Sequence, residues 1–382
     1  SKYFRSYLNY FERLLLENRS NYAAYYLNLL NVRYIIFHND TANGEYANRL
    51  FQGLQRQKDL EMIKHEGVVY VFENKGWSEK VFRPYERTAA VIGGFDKFVS
   101  LNAIESLNLS DFSVIFADQG SLSGEVNFDM FVLSGDLLSD VLPFYLNESF
   151  VVAPFDFARR HSPSECWSKA SLSDLIAGPF HPYLEQFKVD CCDFDYDRGV
   201  VFTWAPSSKL DISFNSASSE CFSFFVRVFE SAAGGRVALY LDNSFVGTLQ
   251  TQSQVNRFVW RNIELNVTSG THVLTLENVE GLNAVNLIVI MSQERLSEIK
   301  QRLKSSLQGH DLLYVFEAES CLLSENASIF RGYGGEASNG AVVKLTSDSK
   351  VFRSLELVDD GNFTFMVRGL GDMLIKIDND QY

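Results

Sequence analysis

From about residue 185 onward, apolar and polar residues alternate with a period of two, and Gly, Asn and Asp interrupt the pattern at short intervals. "CFSFFVRVF" (221–229), "GGRVALYLDNSFVGTLQT" (234–251), "NRFVWRNIELNVTSGTHVLTLENV" (256–279) and "AVNLIVIMS" (284–292) all read this way. An alternating strand buries one face and wets the other, so short strands joined by tight turns predict an antiparallel β-sandwich. No helical bundle can be drawn from this half of the chain.

The pattern occurs twice. Lys209 precedes "FSFFVR", which ends at Arg227, and Lys350 precedes "FTFMVR", which ends at Arg368 at the same spacing. Each copy then reaches an Asp-Asn pair, in "LYLDN" (239–243) and in "IKIDN" (375–379). Spacing, pattern and closing dipeptide together predict two homologous sandwiches. The first copy continues through several strands after its Asp-Asn, whereas the second has three residues left. A half sandwich exposes strand edges and an open core, so the polypeptide is expected to continue past Tyr382.

The first half has a different texture. Residues 3–17 and 21–30 have helical periodicity, "VRYIIFH" reads as a strand, and 41–56 place apolar residues on one helical face. "LEMIKHEGVVYVFEN" then reads as two strands around a turn. "TAAVIGG", "DFSVIFAD", "FDMFVLSG" and "SFVVAPF" are apolar on both faces, which predicts a small parallel sheet covered by helices. The predicted class is therefore α+β and multidomain, with an N-terminal α/β region of small sheets followed by jelly-roll sandwich repeats. The expected boundaries are 1–85, 86–165, a sandwich over 166–293, a helical linker over 294–310, and an incomplete second sandwich over 311–382.

Composition narrows the partners. A net charge of −14 with no basic patch argues against nucleic acid and anionic lipid surfaces. No apolar run reaches the ~18–20 residues needed to span a bilayer, so any membrane link is expected through segments outside this chain. The start has no initiator Met and no signal-peptide pattern, and reads as the interior of a longer polypeptide. Sequons at Asn18, Asn39, Asn108, Asn147, Asn266, Asn326 and Asn362 point to an extracellular or cell-surface location. Glycans are expected most readily at Asn39, Asn266 and Asn326, which read as turns. Five cysteines (Cys166, Cys191, Cys192, Cys221, Cys321) leave two readings, a Cys166 disulfide to Cys191 or Cys192, or small buried apolar residues.

Catalytic chemistry is not evident. The six histidines lack zinc spacing, there is no GxSxG elbow, and Gly93-Gly94 lacks GxGxxG and a following P-loop Lys. No catalytic residue is assigned. Aromatic residues offer a different chemistry, since sugar rings stack on exposed Trp and Tyr while polar neighbours hold the hydroxyls. Trp204, Tyr240, Trp260 and Tyr333 are the candidates for a glycan or polysaccharide partner, with core packing the competing role for each. Trp260 alternates with Phe258, a pattern that suits a buried face.

The β regions resemble carbohydrate-binding jelly-roll modules appended to glycoside-active proteins, on "FEAES" (316–320), "FTFMVRG" (363–369) and the run 237–276. That resemblance implies a structural calcium at Glu317 and Glu319, with "DFDYD" (193–197) as a comparable acidic set in the first copy. The same acids also read as solvent-facing residues of an edge strand. "LLNVRYIIFHND", "VVYVFEN", "AAVIGG", "SVIFADQ" and "GLNAVNLIVI" resemble the soluble tail of archaeal polytopic membrane proteins related to glycosyltransferases that use lipid-linked sugars. This implies a non-catalytic, extracytoplasmic, carbohydrate-binding-like region of a membrane glycosyltransferase-like protein. The alternative is a structural cell-surface glycoprotein of S-layer or filament type.

Overall fold

The computed structural model describes residues 31–40, 44–77, 87–92, 112–116, 127–136, 150–170, 199–254, 256–331, 341–358, 362–377 and 380–381, with a few single residues elsewhere. Strand β1 (Tyr34–His38), helix α1 (Gly44–Arg56), β2 (Leu60–Glu66) and β3 (Val69–Asn74) form the first unit, an antiparallel sheet in the order β1-β3-β2. Gly67, with φ of +60°, turns β2 into β3, a conformation in which a side chain would strain the backbone. Phe37, Phe51, Tyr70 and Phe72 pack between helix and sheet, and the Phe37 and Phe51 rings stack at 5.5 Å.

Strands β4 (Arg87–Val91), β5 (Phe112–Phe116) and β6 (Met130–Leu133) pair in parallel, as their apolar runs predict. The fourth member differs from expectation. It is not "SFVVAPF" but β17 (Asp311–Tyr314), which pairs in parallel with β6 and gives the order β17-β6-β4-β5. Residues 150–152 of "SFVVAPF" instead form β7 (Phe150–Val152), antiparallel to β16, and Val152 enters the sandwich core. The expected boundaries near 165 and 310 are thus both crossed by strand pairing.

Beyond β7 come β8 (Ser168–Ala170), β9 (Val200–Thr203), β10 (Lys209–Ser216), β11 (Glu220–Glu230), β12 (Arg236–Leu241), β13 (Ser244–Gln250), β14 (Arg257–Val267), β15 (Gly270–Glu280) and β16 (Asn283–Ser292). They build two antiparallel sheets. One is four-stranded, in the order β10-β15-β12-β13; the other runs β14-β11-β16-β9-β8, with β7 beside β16. Alternation decides which side chains lie between them: Leu210, Ile212 and Phe214 of β10 meet Phe224, Val226 and Val228 of β11. Each such side chain contributes roughly 1.5–3 kcal/mol through removal from water.

β16 is apolar on both faces because it has two interiors to fill. Ile288 and Ile290 face the sandwich, while Val289 and Met291 face a second cluster with helix α2 (Gln293–Leu307). Ser292 caps that helix by accepting from the Arg295 N–H at 3.2 Å. Its Leu296, Ile299, Leu303 and Leu307 are buried among Phe225, Val289 and Met291 of the sandwich and Ala90, Ile92, Phe131 and Leu133 of the parallel sheet. The segment expected to be a linker is therefore a packed layer, since its i, i+3, i+4 stripe has apolar surface on hand.

After β17 the chain forms β18 (Leu322–Leu323), β19 (Ser328–Arg331), β20 (Ala341–Lys344), β21 (Val351–Phe352), β22 (Lys376–Ile377) and β23 (Asp380–Gln381), which join only as two-stranded pairs. A second sandwich is not formed among the described residues. "FTFMVR" is not in a strand among the described residues, and Phe363, Phe365 and Val367 are 46%, 48% and 48% exposed, whereas its counterpart in β11 is flanked by β14 and β16. The two hairpins do share a register. Leu241 pairs with Ser244 and Ile377 with Asp380, each leaving two residues between.

Candidate functional site

The outer face of the four-stranded sheet gathers groups that sequence separates widely. Strand register places Asp211, Thr275, Tyr240 and Phe245 in one row across all four strands. The next row holds Lys209, Glu277, Ala238 and Thr248. On β12, Val237, Leu239 and Leu241 point into the core, so Ala238 and Tyr240 must point outward.

The aromatic end of the first row is open. Phe245 is 62% exposed, and its ring lies 5.7 Å from that of Tyr240 at an interplanar angle of 70°. Its polar end is organised: the Thr275 hydroxyl donates to Asp211 Oδ1 at 2.6 Å. Lys209 Nζ lies 3.4 Å from Glu277 Oε2 and 5.6 Å from the Tyr240 ring centroid. Surface pairs of this kind are worth at most about 1 kcal/mol, so their role is to hold donors and acceptors in place more than to stabilise the fold. Buried Ala238 puts a small side chain beside Tyr240, lowering the floor of the face there.

The β12–β13 turn is tied from below. Asp242 and Asn243 have φ of 48° and 67°, the left-handed pair that a two-residue hairpin of this twist requires. Asp242 Oδ1 accepts from the Val273 N–H at 2.9 Å, and its Oδ2 lies 2.7 Å from His272 Nδ1. Nε2 of the same ring lies 2.8 Å from the Thr268 carbonyl oxygen. Partnering with Asp242 raises the pKa of His272 above its ordinary value, and the hydrogen bond from His272 lowers that of Asp242.

The four sequence candidates are not brought together. Tyr240 lies on this face. Trp260 lies on the opposite sheet, half-buried against the cluster around α2, as alternation with buried Phe258 indicates. Trp204 packs at the end of β9 against the cluster of Phe202, Phe229 and Phe258. Tyr333 lies outside the described residues. Phe245, Asp211, Thr275 and Glu277 were not singled out from the sequence; registering the strands by their alternation would have found them.

The implied calcium pair sits elsewhere and in a different conformation. Residues Ala318–Ser320 form a 3-10 turn, not a strand, and Glu319 is buried, not solvent-facing. No group of three or more metal-ligating side chains occurs among the described residues. Glu317 and Glu319 are joined by no third metal-ligating side chain among the described residues, and "DFDYD" lies outside the described residues. The turn is instead docked on the sandwich: Arg257 Nη1 donates to the Ser320 carbonyl at 2.5 Å while its Nε pairs with buried Glu230 at 3.0 Å, and Arg261 also binds Glu230.

Cys166, Cys221 and Cys321 are free thiols, Cys191 and Cys192 lie outside the described residues, and burial raises the pKa of Cys321. Asn326 is exposed in a turn, Asn362 is exposed, and Asn39 is half-buried. Asn266 is exposed on β14, near its end, and not in a turn as expected. Asn18, Asn108, Asn147 and the Gly93-Gly94 pair lie outside the described residues. No helix among the described residues is long and apolar enough to cross a membrane.

No protein-family profile matches the chain, and no curated protein matches it. Solved structures similar to part of it include carbohydrate-binding modules. The C-terminal family 6 module of the laminarinase LamC from Zobellia galactanivorans is 17% identical, covering 38% of this chain and 99% of that one, with a TM-score of 0.27. A family 36 module in complex with calcium and xylotriose is 15% identical over 37% of this chain and 98% of that one, TM-score 0.26. A family 35 module from Clostridium thermocellum is 11% identical over 37% and 98%, TM-score 0.27. At these scores the likeness carries no weight of its own.

Proposed function

We propose that the chain is a non-catalytic glycan-binding region whose sugar platform is the outer face of the four-stranded sheet. One observation carries the reading: the row Asp211, Thr275, Tyr240, Phe245 sets two aromatic rings beside a hydrogen-bonded carboxylate and hydroxyl. A sugar needs both, an apolar surface for its C–H face and fixed polar groups for its hydroxyls. The platform is open and small, so a single stacked ring corresponds to Kd values in about the micromolar-to-millimolar range. The exposed sequons support an extracytoplasmic location, and the resemblance of the N-terminal half supports a membrane glycosyltransferase-like parent; both belong to this proposal.

Calorimetry against xylo-, laminari- and manno-oligosaccharides tests it, with a reducing-sugar assay alongside. Saturable binding that is lost in Tyr240→Ala is the expected result. Binding that survives that change, or release of reducing sugar, would overturn it. The exposed apolar side chains of Phe363, Phe365, Val367, Leu370 and Leu374 favour a second reading, a structural surface glycoprotein. Ordered assembly of the full-length polypeptide with no glycan affinity would decide for that one.

A further inference from the structure

We infer that doubly protonated His272 is a positioning residue: it holds the β12–β13 hairpin in the shape that presents Tyr240 and Phe245, and the hairpin loosens when the ring loses a proton. The glycan consequence of this inference rests on the function proposed above; the hairpin itself does not.

The geometry calls for a hydrogen on each ring nitrogen. Nε2 faces the Thr268 carbonyl oxygen at 2.8 Å, which can only accept. Nδ1 faces Asp242 Oδ2 at 2.7 Å, and an ionised carboxylate also only accepts. Both ring nitrogens must therefore carry hydrogen for both contacts to be hydrogen bonds. A neutral ring keeps one and turns a lone pair on the other acceptor.

Few other groups can compensate. The ring is buried, with Phe214 of β10 at 5.6 Å between centroids. From the β14–β15 connection it meets the Thr268 carbonyl, and from the β12–β13 turn it meets Asp242. Asp242 is the charged group acting on it among the described residues, and it holds the ring's pKa above the ordinary value.

Asp242 in turn carries the hairpin. Its backbone N–H donates to the Val273 carbonyl at 2.9 Å and its Oδ1 accepts from the Val273 N–H. It does so at a positive φ, the left-handed state that this two-residue turn requires and that Asp enters more readily than most residues. Tyr240 lies two residues before it and Phe245 three after, with a bulge between Leu239 and Tyr240 that leaves their register dependent on the turn.

The experiment follows the His272 ring by nitrogen-15 NMR and the amides of 240–246 by shift and hydrogen exchange, from about pH 5 to about pH 9. Affinity for the oligosaccharide panel is measured in parallel. The expected result is a protonated ring at neutral pH, hairpin amides that titrate with it, and affinity about tenfold weaker once it is neutral. Asp242→Asn supplies the control. Its amide can donate to a neutral Nδ1 while its oxygen still accepts from Val273, so the hairpin and the affinity should become insensitive to pH. A neutral ring at pH 6, or hairpin amides unmoved through its titration, would overturn the inference. Titrating amides with no oligosaccharide bound would keep the inference and remove the glycan reading; binding through Tyr240 with a flat pH profile would do the reverse.

Discussion

Tyr240 and Phe245 face one another across the β12–β13 hairpin, their ring centroids 5.7 Å apart and their planes at 70°. An edge-to-face pair keeps each ring oriented by the other, so on the proposed reading a sugar would meet a rigid corner and not two swinging side chains. Removing Tyr240 should abolish saturable oligosaccharide binding, and removing Phe245 should weaken it about tenfold, equivalent to roughly 1.4 kcal/mol. Because Phe245 is mostly exposed, Phe245→Ala should shift the urea midpoint very little. Calorimetry and urea unfolding on the two single variants test both halves of this expectation.

Glu230 sets up the opposite case. It is 2% exposed and answers two guanidinium groups, Arg257 and Arg261, so Glu230→Ala strands positive charge against a buried site. A loss of about 3–5 kcal/mol follows from breaking one side of a buried ion pair. Glu230→Gln retains an acceptor and should lose less. Chemical denaturation of the two variants gives the comparison, and equal losses would show that the charge plays no part.

The His272–Asp242 pair gives stability a defined pH window. His272 is raised in the fold, so its contribution is complete below its ordinary value of 6.5 and is lost as pH rises through the folded-state pKa. Asp242 is lowered, so its contribution is present above its ordinary value of 3.8 and is lost as pH falls through the folded-state pKa. Together they favour the fold most between those ordinary values. Melting temperatures of the native chain minus those of Asp242→Asn, taken across pH, should peak there; a constant difference would refute the assignment.

Native material should carry glycans at Asn326 and Asn266, whose side chains are exposed. Peptide mass spectrometry of protein from its natural source checks this. Complete absence at all seven sequons would remove the support for an outside location.

The sandwich was legible in the sequence because its alternation is strict: the "KLDISFNS" of β10 is buried at every second residue, as the pattern demands. The parallel strands β4 to β6 were legible as apolar runs. Long-range pairing was not. Nothing in "DLLY" distinguishes a strand that opens a second sandwich from one that returns to β6 nearly two hundred residues earlier, because a short apolar strand carries no address. The site was half legible for the same reason. Tyr240 stands out by its residue type, but Thr275 and Asp211 matter only through the register that puts them beside it.

The path of the chain through β6, α2 and β17 has a genealogical consequence. Joined directly, these three form a βαβ unit, two parallel strands linked by a crossover helix packed on their sheet. The sandwich strands, β7 to β16, lie in the chain between the first strand of that unit and its helix. Ancestry by insertion would leave the host able to close without its guest. A chain in which a short Gly-Ser linker replaces residues 137–292 should therefore still fold around β4, β5, β6, α2 and β17 once the α2 side chains that face the sandwich are made polar. Circular dichroism with cooperative thermal unfolding would show it; a molten product would mean that guest and host have become one inseparable body.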